Sequence, residues 1–193
     1  MSVDAIRTRF TKSCVSYCLI SYILGIGDRH LENIMITETG ELFHIDFGFI
    51  MGYDPKLMTP EIRLTCEMVD AMGGKNSKYY NMFKTLCTRA FMCLRKHINL
   101  FKLVLTGLSD QEIPIDKRLT RTYIESFIDD RFLVAEDVRE VKLYLTKKIV
   151  NSSHKYSDSI IDFCHNTSVQ HSGSISQNVI QYGTEFINYI NPF

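Results

Sequence analysis

The sequence predicts an α+β chain that is predominantly α, with one short β-hairpin near its start. Three observations predict it. An apolar stripe of helical period opens the chain, two brief strand-like runs joined by "ETG" follow, and from Cys66 onward the apolar residues keep a helical period. The 193 residues suffice for a single domain with a real core, and 45% apolar content fits a globular protein.

Residues 4–24 read as a helix. Ile6, Phe10, Tyr17 and Leu24 repeat at spacings of four and seven, and Cys14, Val15, Cys18 and Ile20 widen the stripe. Gly25 is its stop. Gly25 and Gly27 read as a tight turn and not as a phosphate loop, because they follow a helix and no P-loop lysine comes after them. Strands are expected over 33–37 and 41–45, with Gly40 free to take the positive φ of the turn. Residues 48–65 have no steady period and contain Pro55 and Pro60, so they read as a long ordered loop, a feature that is usually functional. Helices are expected near 66–72, 77–96, 98–107, 117–128 and 136–165. A polar linker, "SVQHSGSISQN", then leads to a last helix over 177–191. No internal repeat is visible.

Bulk properties exclude several classes. The 22 Lys and Arg balance the 22 Asp and Glu, which argues against a strongly basic nucleic-acid binder. No apolar run reaches the roughly 18 residues of a membrane span, and "MSVDAIRTRF" lacks the apolar core of a secretion signal. None of the six cysteines (Cys14, Cys18, Cys66, Cys87, Cys93 and Cys164) forms a C-x-x-C pair. They read as reduced thiols packed like small hydrophobes in a cytosolic protein, which makes the sequons at Asn151 and Asn166 chance matches.

The chemistry concentrates in "LGIGDRHLENIMI" and "ELFHIDFGFI". A loop leaving a helix and entering a hairpin is rigid at both ends and can hold polar groups in fixed places. The hairpin should return Asp46 beside Asn33, so that one carboxylate and one amide oxygen point at a common place. Such ligands suit Mg²⁺, completed by water and phosphate oxygens. Asp28 and His30 are the groups that could orient or deprotonate a hydroxyl nucleophile, and either could take the proton. Arg29 would neutralise the carboxylates or steady the loop. His44, on the second strand, is either a supporting hydrogen-bond partner or a ligand contact.

The interval from Asp28 to Asn33, followed by Asp46, Phe47 and Gly48, repeats the catalytic-loop and D-F-G spacing of protein kinases, with the triplet inverted to Asp-Arg-His. Together "GDRHLEN" and "HIDFG" closely resemble the phosphatidylinositol 3-/4-kinase superfamily. The segments "GYDPKLMTPEIRLTCEMVDAMGG" and "TKSCVSYCLISYILGIGDRH" resemble its class III phosphatidylinositol 3-kinases. The resemblance is close from about Ile6 to Gly74 and looser to about His165. It implies a kinase-like C-lobe in one domain over 1–193. Within it, 4–74 would carry the catalytic loop, hairpin and activation loop, 75–165 the helical part, and 166–193 a linker and C-terminal helix.

The resemblance further implies ATP as donor with Mg²⁺ or Mn²⁺, and phosphatidylinositol in membranes as substrate, phosphorylated at its 3-hydroxyl. It implies a cytoplasmic location, peripheral at endosomal or other internal membranes, with roles in membrane trafficking and autophagy, and a regulatory subunit as partner. It assigns Asp28, Arg29 and His30 to catalysis, Asn33 and Asp46 to metal, and Lys56 and Arg63 to the head-group phosphate, with His44, Phe47 and Gly48 in support. The family's N-lobe carries a glycine-rich loop, an ATP-binding lysine and the adenine hinge. Residues 1–27 hold only Lys12 and no glycine-rich strand turn. The expectation is therefore a C-lobe alone, either a fragment or a chain whose N-lobe arrives separately. A protein-kinase branch member and a non-catalytic module that binds lipid or a kinase are the alternative functions. In the tail, Ile175, Val179, Tyr182, Phe186, Tyr189 and Phe193 form a stripe that reads as core-facing, because the polar face carries only Glu185 and no Lys or Arg.

Overall fold

A computed structural model describes residues 1–54, 60–109 and 119–152. The expected linker and last helix, the end of the 136–165 helix, and Lys56 lie outside the described residues.

Helix α1 (Val3–Leu24) begins where Ser2 Oγ accepts from Ala5 N and ends at Gly25, whose φ of 56° lets its N–H reach the carbonyls of Ser21 and Tyr22. Ile6, Phe10, Cys14, Cys18 and Tyr22 are buried along it. Ile20, expected in that stripe, is exposed instead, because it lies two residues from Cys18 and so points away from the core.

The hairpin follows. Strands β1 (Ile34–Ile36) and β2 (Leu42–His44) pair antiparallel with Ile34 opposite His44. The ladder continues past both ends through Ile45 N to Asn33 O at 2.8 Å and Thr37 N to Glu41 O at 2.9 Å. Each strand is thus one residue shorter at each end than expected, while the end residues keep their bonds. Asn33 itself closes a 3₁₀ turn over Leu31–Asn33. Gly40 takes the expected positive φ, 94°. The hairpin is fastened to α1 where Leu42 N donates to Ser13 Oγ at 2.8 Å.

The remainder is helical: α2 (Cys66–Ala71), α3 (Lys78–Arg95), α4 (Ile98–Ser109), α5 (Arg121–Phe132) and α6 (Val138–Ser152). The hydroxyls of Thr65, Ser77 and Thr120 cap α2, α3 and α5, each contributing about 1 kcal/mol. The Thr120 cap moves α5 about four residues beyond the expected 117–128, and Leu133 closes it in the left-handed region. Asp137 Oδ1 accepts from Arg139 N and Glu140 N, which starts α6 at Val138.

Helix α1 packs on α3 and on the hairpin, α4 on α5, and α3 on α6. Buried side chains of the described residues form one contiguous cluster, including Phe10, Tyr22, Phe83, Phe91 and Phe132. Truncating one of these phenylalanines would cost about 3–5 kcal/mol. Arg95, at the end of α3, donates to the carbonyls of Phe132, Leu133 and Glu136 and so ties α3 to the α5–α6 connection. Among the described residues, no helix is long and apolar enough to cross a membrane.

Candidate active site

The site forms where the end of α1, the hairpin and the segment after it converge. Three backbone bonds align the two loops: Gly27 N to Phe49 O at 2.8 Å, Met51 N to Leu24 O at 2.7 Å, and Gly52 N to Gly25 O at 3.0 Å. A Cβ on Gly25 would collide with Gly52 N, and one on Gly27 with Tyr53 O. The glycine pair thus makes the tight turn and also lets two main chains lie side by side.

Asp28 and Asp46 both adopt positive φ, 48° and 69°. Aspartate tolerates this region better than most residues, yet such conformations persist only where surrounding structure holds them. Asn33 Nδ2 donates to Asp28 O at 2.9 Å. Gly48 N donates to Asp46 Oδ1 at 2.9 Å, in an Asx turn. The ladder bond from Ile45 N to Asn33 O sets Asp46 one residue beyond the partner of Asn33. With Asn33 Nδ2 so engaged, its Oδ1 and the Asp46 carboxylate are two hard oxygen donors. That set fits Mg²⁺ completed by phosphate and water. Among the described residues, no group of three His, Cys, Asp or Glu side chains could hold a metal by itself.

His30 Nε2 lies 3.6 Å from Asp28 Oδ2, and His30 Nδ1 3.9 Å from Glu32 Oε2. The two expected proton-handling groups are therefore neighbours. Arg29 is buried and donates to the carbonyls of Glu61 at 3.0 Å and Pro60 at 2.5 Å. Its guanidinium thereby pins the far end of the 48–65 loop to the loop that carries Asp28.

His44 differs from the hydrogen-bonding support expected of it. Neither ring nitrogen has a hydrogen-bond partner. The ring is buried, stacked on Tyr17 with centroids 6.1 Å apart, and meets the edge of Phe47 at 5.5 Å. Burial, then the Arg29 cation, lowers its pKa against the opposing pull of the Asp46 and Asp28 carboxylates. Its contacts are those of ring packing, which the lowered pKa favours in the neutral form. Phe47 itself is exposed.

Arg63, expected to meet a head-group phosphate, is 2% exposed, between the buried Ile62 and Leu64. The 48–65 loop turns into the core at Ile62, where Ile62 and Leu64 are buried on either side of Arg63. Sequence reasoning missed two features. Glu61, which carries no motif signal, is held by Lys148, Tyr144 and Arg131. Met35, Phe43 and Ile45 are exposed on the outer face of the hairpin. Both strands are apolar on both faces, a pattern that marks a sheet covered on each side and that could have exposed this face.

Residues 2–131 match the family model for phosphatidylinositol 3- and 4-kinase. Phosphatidylinositol 3-kinase pik3 of Schizosaccharomyces pombe is 40% identical over 157 residues, covering 81% of this chain and 20% of that protein. Phosphatidylinositol 3-kinase VPS34 of Candida glabrata is 38% identical over 161 residues, covering 81% of this chain and 18% of that protein. The Arabidopsis thaliana protein of the same name is 50% identical over 105 residues, covering 54% of this chain and 13% of that protein. The chain thus spans about a fifth or less of the length of these relatives. With the D-R-H and D-F-G segments inside the matched region, the chain belongs to the phosphatidylinositol 3- and 4-kinase family, and its likeness lies with the class III phosphatidylinositol 3-kinases.

Proposed function

We propose that the chain supplies the catalytic lobe of a lipid kinase that transfers the γ-phosphate of ATP to the 3-hydroxyl of phosphatidylinositol at an internal membrane. One observation carries this reading: the hairpin returns Asp46 to Asn33, next to the adjoining Asp28–His30 pair. Asn33 and Asp46 would hold Mg²⁺, which when bound neutralises phosphate charge. Asp28 and His30 would orient the inositol hydroxyl and accept its proton as its oxygen bonds to the γ-phosphorus and the bond to the β-phosphate oxygen breaks, releasing ADP. Arg29 keeps the loop bearing them in register with the 48–65 segment.

Substrate choice follows from charge. Arg63 lies in the core and Glu61 is engaged by Lys148 and Tyr144. In the sequence, Lys56 is the 48–65 loop's one other cation. A kinase acting on a multiply phosphorylated head group needs clustered cations instead. A kinase completed with a family N-lobe should prefer vesicles of phosphatidylinositol over those of its 4,5-bisphosphate in a radiolabel transfer assay at one ionic strength. Lys56→Ala should weaken use of phosphatidylinositol. Equal or faster turnover of the bisphosphate would sink the class III substrate assignment.

A further inference from the structure

The carboxylate of Glu61 stands where three parts of the molecule meet. Its Oε2 accepts from Tyr144 Oη at 2.8 Å and lies 2.7 Å from Lys148 Nζ, both on α6. Its Oε1 is 3.8 Å from the Arg131 guanidinium on α5. Arg131 is in turn packed over Tyr22 of α1 and over Phe127, 5.1 and 4.9 Å from the ring centres. Through its main chain, the same residue gives Arg29 one of its two carbonyl acceptors. One acidic residue therefore joins α5 and α6 by its side chain to the Asp28–Asn33 loop by its backbone.

The arrangement has a physical reason to matter. Arg29 is buried and keeps its charge, so it must hold its acceptors. Those acceptors sit on residues 60 and 61, which belong to no helix or strand. The core anchors the chain just beyond them, at Ile62 and Leu64. A cavity of about 180 Å³ lies among Ser21, Arg29, Asp54, Glu61 and Arg131. The Ser21 hydroxyl beside it is buried without a hydrogen-bond partner. On the side that borders this cavity, the ties of the Glu61 carboxylate hold the segment. The bonds to Lys148 and Tyr144 keep the Glu61 carboxylate below its usual pKa against the opposing effect of burial, so the tie persists at neutral pH.

We propose that Glu61 is a positioning residue. Latched to α6 by Lys148 and Tyr144, it holds the carbonyls that fix Arg29, and through Arg29 the loop bearing Asp28, His30 and Asn33. Whatever engages α6 then acts on the site. The catalytic consequence rests on the function proposed above; the structural coupling does not.

Hydrogen–deuterium exchange on the 193-residue chain tests the coupling without any ligand. The reporters are the amides of Gly27 and Asn33, which donate to Phe49 O and His30 O. Lys148→Met, a change on α6 alone, should speed their exchange about threefold or more. Lys148→Arg should restore protection, and Glu61→Gln with Lys148→Met should match Glu61→Gln alone, since both changes cut the same tie. Unchanged exchange at Gly27 and Asn33 in Lys148→Met would overturn the proposal. So would a rise spread evenly through α1 and α3, which marks general destabilisation. In a kinase completed with an N-lobe, Lys148→Met should lower kcat and Lys148→Arg should restore it; an unchanged kcat alongside altered exchange would overturn the positioning role. A completed wild-type kinase without transfer activity would end the kinase reading and leave the exchange result standing.

Discussion

Asp28 and Asp46 are held at positive φ by neighbours that the same short segment supplies, Asn33 and Gly48. This backbone constrains how the metal assignment can be tested. Asp46→Ala would remove a carboxylate and also place alanine in the left-handed region, which costs roughly 1–2 kcal/mol. Asp46→Asn avoids the second effect, because asparagine tolerates that region and keeps an oxygen for Gly48 N. It should change urea-unfolding stability by less than about 0.5–1 kcal/mol. In a completed kinase it should cut transfer on the order of 100-fold or more, since a neutral amide replaces the one charged ligand. Near-normal turnover would show that Asp46 does not bind the metal. At this scale the sequence showed the hairpin turn and ladder that set Ile45, and Asp46 next to it in the chain, opposite Asn33. It did not show the burial of Arg63 or the unbonded ring of His44. Each depends on contacts remote in sequence: Tyr17 for His44, and for Arg63 the carbonyl that accepts from the Cys18 thiol.

The elements divide in the same way. Helix α1, the hairpin, α2, α3 and α4 were legible to within a residue or two, because the apolar period marks each helix, Gly25 stops α1, and Gly40 turns the hairpin. Helix α5 was placed about four residues early, since the Thr120 cap competes with an unpatterned polar run before it. Two glycines show how element position decides a residue's effect. Gly25 ends α1 at φ 56°, and a Cβ there would meet Gly52 N and the Phe127 ring. Gly107 lies inside α4 with nothing among the described residues within 4 Å of its would-be Cβ. Gly25→Ala should therefore destabilise the chain by about 2–3 kcal/mol, from backbone strain plus the forced separation of two loops. Gly107→Ala should stabilise it by about 0.5–1 kcal/mol, through helix propensity and a less flexible unfolded chain. Urea unfolding of both variants beside wild type tests the pair. A neutral Gly25→Ala would mean that the loops are not held together there.

Across the described molecule, the hairpin is the element whose two faces meet different surroundings. Ile34 and Leu42 point to the core, where Leu42 N also binds Ser13 of α1. Met35, Phe43 and Ile45 point outward, at 38%, 44% and 40% exposure, with Met35 and Phe43 directly paired. Aromatic and unbranched apolar residues paired across an outer face bring little stability to an open hairpin. They suit a surface that something else covers. Ile45 of this strip is next to Asp46 in the chain and opposite Asn33, so under the proposed function the strip's expected cover is an N-lobe carrying the nucleotide. Phe43→Ser separates this role from folding. If the face is uncovered in the 193-residue chain, unfolding stability should shift by no more than about 0.5 kcal/mol, and binding of a hydrophobic dye should fall. In a kinase completed with an N-lobe, the same substitution should raise the KM for ATP severalfold, because the covered face loses a ring that excludes water from the site. A loss above about 2 kcal/mol in the chain alone would place Phe43 in its own core, and an unchanged KM would remove the strip from the nucleotide site.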